Sequence, residues 1–131
     1  IEVWGNRIKI ESIFLNLISN AKDAFDKVKR DNKYISIDIA EGENDMVIVK
    51  ISDNASGILE SMKIRIFEPF FTTKEAGKGT GLGLSLVYNI IKEHNGSISC
   101  QSKENEGTTF IFALKKYIKN TAPADESGIP C

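Results

Sequence analysis

The chain has 131 residues, 17 basic and 18 acidic side chains, and a formal net charge of −1. That length fits one domain, and the balanced charge excludes a general electrostatic nucleic-acid binder, which carries a basic excess. With 41% hydrophobic and 27% charged residues, the composition is that of a globular domain able to bury a core without metal or disulfide staples. Two cysteines, Cys100 and Cys131, are too few for a disulfide framework and are expected to be free thiols in a reducing cytoplasm. No apolar run approaches a membrane span, and the first residues lack the character of a signal peptide. A longer parent protein anchored in the inner membrane is compatible with this.

Residues 1–4 offer a short leading strand. From residue 8 to about 29, Ile10, Ile13, Phe14, Leu17, Ala21, Ala24 and Val28 recur at helical spacing, and Asp31 and Asn32 end the helix in a turn. Residues 34–40 alternate, with Ile35, Ile37 and Ile39 on one face and Ser36 and Asp38 on the other, which predicts a half-buried strand. A second strand over 46–51 follows the polar turn 41–45, and the two read as a hairpin. From 53 to about 80 both periods fade and Gly57, Pro69, Gly77 and Gly79 punctuate the chain; an irregular stretch of that length inside a domain is usually functional or disordered. Residues 82–94 return to helical spacing through Leu84, Val87, Ile90 and Ile91, and Asn95-Gly96 stops the helix. Strands over 97–102 and 108–114 follow, joined by a polar turn. The order predicts an α/β fold, a two-layer sandwich whose mixed, mostly antiparallel sheet packs under helices. The domain is expected over 1–114, with 115–131 a polar tail or linker.

Four segments carry candidate chemistry. In the first helix Asn16, Asn20 and Asp23 share one face at spacings i, i+4 and i+7. Asn20 can offer its amide oxygen to a hard cation such as Mg²⁺, although ordinary surface amides give the same pattern. Asp53 continues the period-2 series Val47, Val49, Ile51, so its carboxylate points toward the core. There it needs a hydrogen-bond donor, either a ligand amine such as that of adenine or the backbone of its own turn. Gly79-Thr80-Gly81-Leu82-Gly83-Leu84 runs into a helix, where backbone N–H groups form an anion site. It is neither a Walker A loop nor a dinucleotide fingerprint, and flexible-loop glycines are the plain alternative. Phe67, Phe70 and Phe71 give the fourth segment three aromatics in a loop, which must dock or leave an apolar patch. They form either an aromatic latch with Lys74 or Lys78 reaching phosphate, or a loop anchored to the core.

Together these segments resemble the catalytic, ATP-binding domain of sensor histidine kinases, within the wider superfamily of gyrase, mismatch-repair and chaperone ATPases. NLISNAKDAF is similar to the N box, DNASGI to the first glycine box, FEPFF to the F box and GTGLGLS to the second glycine box; Gly107-Thr108-Thr109-Phe110 resembles the closing strand motif. The matches cover roughly 3–114 in the family's order. The resemblance implies that Mg-ATP is bound, with Asn20 on the Mg²⁺ and Asn16 one turn earlier. It assigns Asp53 to the adenine amine, with Gly57 and Ile58 beside it, and Thr108 near the base. Gly79, Thr80, Gly81, Leu82, Gly83 and Leu84 fall on the phosphate side, Phe67 and Asp23 are further ATP-site residues, and residues 57–79 form the ATP lid. It also implies transfer of the γ-phosphate to a histidine on a separate dimerisation domain, a response regulator downstream, and a monomeric isolated domain. The catalytic residues are then Asn16 and Lys74. The alternative is a nucleotide-binding regulatory module with impaired transfer.

Three positions qualify the resemblance. The ATPase branch has a glutamate where this chain has Asn16, and an amide cannot take a proton at neutral pH, so slow intrinsic hydrolysis is expected. Ala55 stands where the family usually has the first glycine of its aspartate box; a methyl crowding the base pocket or resisting a positive φ would weaken nucleotide affinity. Asp23 replaces a basic residue common in relatives, and Lys22 faces another way, which turns attention to Lys74 and Lys78 as phosphate ligands. His94, the only histidine, matches a family position that is not the phosphoacceptor; a helix-end histidine is favoured by the dipole in any case.

Overall fold

A computed structural model describes residues 1–71, 82–118 and 129–130 of the chain. In order these form β1 (Trp4–Gly5), α1 (Arg7–Phe25), β2 (Ile35–Glu41), β3 (Met46–Asp53), a 3₁₀ turn (Glu60–Met62), α2 (Gly83–Glu93), β4 (Ser97–Lys103), β5 (Gly107–Lys115) and β6 (Ile129–Pro130). The main sheet has four strands in the order β2-β3-β5-β4, antiparallel at each pairing. β1 and β6 form a separate two-stranded pair, and Val3 bridges to Lys116.

The helices lie on one face of the sheet and against each other, α1 over β3 and α2 over β4 and β5. The core between the layers is apolar: Ile13, Leu17, Val87, Ile91, Val47, Phe112 and Leu114 are essentially inaccessible. Truncating Leu17 to alanine there would cost about 2–5 kcal/mol, because the lost contacts and the cavity add.

α1 starts where Asn6 caps it, the side-chain oxygen accepting the Lys9 N–H at 3.0 Å. It ends at Phe25, four residues short of the expected 29. Beyond it Asp26, Lys27 and Val28 make i→i−3 bonds to Asp23, Ala24 and Phe25, so tighter turns prolong the apolar spacing that reads as α-helix in the sequence. The hairpin forms with Ile37 opposite Ile51 and Ile39 opposite Val49. Its outer strand is less buried than expected: Ile35, Ile37 and Ile39 are 37%, 44% and 51% exposed. They share the helix-facing side, but β2 is a sheet edge and the helices lie over the strands inward of it.

The two ends of the domain are tied at α2. His94 Nε2 accepts the Asn6 N–H at 3.0 Å; Nδ1 then carries the proton and donates to the Ile90 carbonyl at 2.7 Å. Lys9 pairs with Glu93 at 2.8 Å alongside. Among the described residues no helix is long and apolar enough to cross a membrane. Cys100 is a free, half-buried thiol that burial pushes up to about 11, and Cys131 lies outside the described residues.

Candidate functional site

A cleft of about 980 Å³ opens between α1, the start of α2 and the ends of β3 and β5. Its walls bring together Asn16, Asn20 and Asp23 from α1, Asp53, Gly57 and Ile58 from the end of β3 onward, Leu82, Gly83 and Leu84 from the start of α2, and Thr108 from β5. These are segments far apart in sequence, assembled by the sheet order.

Asp53 is the last residue of β3 and lies opposite Thr108. One carboxylate oxygen accepts the Ala55 N–H at 3.0 Å. The bond to its own turn is therefore present, and the residue still lines the cleft. Burial pushes its carboxyl above the usual carboxylate range, partly offset by the N–H groups of Ala55 and Thr108. Phe110 and Ile66 add apolar wall beside it, which suits a flat base with one polar edge.

The loop after Asp53 is held tightly. Gly57 has φ +69°, and a Cβ there would run into the Lys103 carbonyl; Gly107, at φ +124°, leaves the same kind of room for the Asp53 carbonyl. Both positions need glycine because two backbones touch. The Ile58 N–H donates to Ser102 Oγ at 2.8 Å, and Ser102 in turn reaches Gly107 O and Thr108 Oγ1. Ala55 is completely buried, has no positive φ, and is not part of the cleft wall. The expectation that its methyl crowds the base or strains the backbone is thus corrected: the side chain points into packed protein, not into the cleft.

At the other end, Asn16 Nδ2 donates to Ser12 O at 2.8 Å and lies 3.2 Å from Ser12 Oγ. That leaves Oδ1 facing the first turn of α2, where a Cβ on Gly83 would come within 2.9 Å of it. The first helix and the second glycine box therefore meet through an amide oxygen and a missing methyl. α2 begins without a side-chain cap hydrogen bond at Leu82, and the first turn of a helix carries the partial positive charge that suits an anion. Among the described residues no cluster of three or more His, Cys, Asp or Glu could hold a metal by itself. Amide oxygens suit a cation held mostly by phosphate and water.

Phe67 is not in the cleft wall. Its ring packs against Tyr88 and Phe110, with centroids 5.6 and 6.3 Å away, while Phe71, under the Arg65 guanidinium at 4.8 Å, lines the cleft instead. Of the three loop aromatics, Phe67 anchors the loop and Phe70 is 73% exposed. Lys74, Lys78, Gly79, Thr80 and Gly81 lie outside the described residues. Sequence reasoning missed Ser19 and Lys27, which also line the cleft. Lys27 was findable, because it continues the Asn16, Asn20, Asp23 face by one more turn. Both nitrogens of His94 are engaged in internal hydrogen bonds, which agrees with a structural role.

The sequence profile of the histidine kinase-, DNA gyrase B- and HSP90-like ATPases matches residues 5–118, and the chain belongs to that family, whose domain binds ATP. Its relatives include sensor kinases: it is 40% identical over 127 residues to the sensor kinase CckA of Brucella abortus, covering 89% of this chain and 13% of that protein. It is also 40% identical over 116 residues to sporulation kinase A of Bacillus subtilis, covering 88% and 18%. The catalytic domain of the histidine kinase ThkA superposes with a TM-score of 0.70 at 38% identity, over 86% of this chain and 70% of that one. The mycobacterial sensor histidine kinase MprB, at 21% identity and a TM-score of 0.72, shares the fold. The chain spans less than a fifth of the length of these two curated relatives.

Proposed function

We propose that this chain holds Mg-ATP in the cleft and presents the γ-phosphate to a histidine on a separate dimerisation domain, from which a response regulator is phosphorylated. The observation that carries this reading is the pairing of a half-buried carboxylate, Asp53, at an apolar end of the cleft with the Asn16, Asn20 and Gly83 cluster at the other. Asp53 accepts the exocyclic amine of adenine. Ile58, Ile66 and Phe110 exclude water around the base. Asn20 would hold Mg²⁺ through its amide oxygen, and the ion would supply neutralisation of phosphate charge. The N–H groups at the start of α2 steady phosphate oxygens, and Lys74 or Lys78 supplies positive charge. Asn16 orients without taking a proton, because an amide has no basic site at neutral pH. The chain by itself is monomeric, binds no nucleic acid, and works on the cytoplasmic side. The catalytic unit extends over residues 1–118, because β5 runs to Lys115, Lys116 bridges Val3 and Tyr117 packs on Trp4, and the remainder is a tail whose Ile129–Pro130 pairs with β1.

Joining the chain to the dimerisation domain of a sensor kinase tests this. Acid-labile, base-stable phosphate on that domain, dependent on Mg²⁺ and on Asp53, is the expected result. ATP binding without any transfer would favour a nucleotide-holding regulatory module, and acid-stable phosphoserine would point to another class of kinase.

A further inference from the structure

We infer that Arg30, in the link between α1 and β2, is a positioning residue for base selection: its guanidinium clamps the loop that carries Asp53. Arg30 lies outside every motif of the sequence and does not line the cleft. Yet its Nε donates to the Asn54 carbonyl at 3.0 Å and its Nη2 to the Asn105 carbonyl. Asn54 follows Asp53 directly, and Asn105 is the tip of the β4–β5 turn, held in a left-handed conformation at φ 64°.

Two further ties close the same clamp. Asn54 Oδ1 accepts the Tyr34 N–H at 3.0 Å, and its Nδ2 donates to the Asn32 carbonyl at 2.7 Å. The Asn105 N–H donates to the Ser56 carbonyl at 2.6 Å. The loop 54–57 is thereby pinned from the α1–β2 link on one side and the β4–β5 turn on the other. The Arg30 side chain donates to both sides, to a carbonyl of the loop and a carbonyl of the turn. A planar guanidinium with several fixed donors can span two carbonyls; a lysine ammonium is a single point charge on a flexible stem.

The consequence for binding follows from what Asp53 must do. Discrimination between an amine and a carbonyl on a base requires the acceptor to be held in place, because a mobile acceptor makes a poorer bond to the right ligand and yields more easily to the wrong one. Loosening the Asn54 carbonyl frees the residue next to the acceptor. Arg30 therefore sharpens selectivity for a 6-amino purine and leaves the phosphate end of the cleft alone.

This inference rests on the proposal that Asp53 reads the adenine amine. The test is calorimetry of the 131-residue chain with ATP and with ITP, which carries a 6-oxo group in place of the amine, for the wild type, Arg30→Gln and Arg30→Lys. Circular dichroism confirms that each variant is folded at the temperature used. The wild type is expected to prefer ATP, and both variants to narrow the ATP-to-ITP affinity ratio by about fivefold, the size of one hydrogen bond's net contribution. A ratio unchanged in Arg30→Gln, or an equal loss of both ligands, overturns the inference, since a merely structural residue lowers both together. Full retention of the ratio by Arg30→Lys would overturn the role of the two-carbonyl fork. A wild type that binds both nucleotides equally would instead sink the adenine role of Asp53, and this inference with it.

Discussion

Asp53→Asn separates what the site residue does for binding from what it costs the fold. In the native protein burial raises the Asp53 carboxyl above its ordinary range. Relative to the unfolded chain, the fold therefore disfavours the ionised carboxylate, and its ionisation lowers stability. That penalty is absent below the ordinary carboxylate range and fully present above the raised value. An asparagine keeps an oxygen for the Ala55 N–H and carries no charge, so the ligand-free variant should be at least as stable as the wild type at neutral pH, with any gain vanishing in acid. Binding should change in the opposite sense. The variant loses a charge-assisted hydrogen bond to the adenine amine, about 1.5–3 kcal/mol, which is about 10- to 100-fold in affinity. Its amide N–H₂ also suits the 6-oxo group of ITP, so preference between the two nucleotides should shift toward ITP. Calorimetry gives the affinities. Melting curves with ligand at about 100 times Kd, worth about 2.7 kcal/mol, check them independently. As pH falls through the raised Asp53 value, the wild type should lose its advantage over the variant. A variant that binds ATP as tightly as the wild type, or one destabilised without ligand at neutral pH, would refute the reasoning.

Three further outcomes are expected. Asn16→Glu, placing a titrating group beside the start of α2, should raise basal ATP hydrolysis about tenfold or more from a slow wild-type rate; phosphate release measures it, and a fast wild-type rate would contradict the assignment. Ala55→Gly should leave ATP affinity within error and lower stability by about 0.4–1 kcal/mol, because the methyl is buried away from the cleft; a gain in affinity would restore the crowding argument. Gly57→Ala should lower the melting temperature and weaken ATP binding. Its left-handed φ alone costs about 1–2 kcal/mol for an L-residue, and the Lys103 carbonyl occupies the space a Cβ needs; chemical denaturation and calorimetry would detect both effects.

Much of this protein was legible in the sequence because its signals are local. The helical stripe through Ile10, Ile13, Leu17 and Ala21 and the alternation of Val47, Val49 and Ile51 follow from side-chain direction along a single element, and these residues are buried as expected. The period-2 series also carried Asp53 to the correct face without any tertiary information. The four boxes, recognised by their order, led to the family that the comparisons establish. Tertiary packing decided what depends on neighbours distant in the chain. Whether Ile37 is covered depends on β2 being an edge, which alternation alone does not encode. Phe67 and Phe71 stand in one motif, yet one ring enters a cluster with Tyr88 and Phe110 while the other faces the cleft. Ala55 has the same identity in either environment, and only its backbone angle and packing reveal that its methyl is accommodated. Arg30 carries no motif at all: its role exists because the fold brings the carbonyls of Asn54 and Asn105 within reach of one guanidinium, and hydrogen-bond geometry between distant backbone atoms leaves no periodic trace in a sequence.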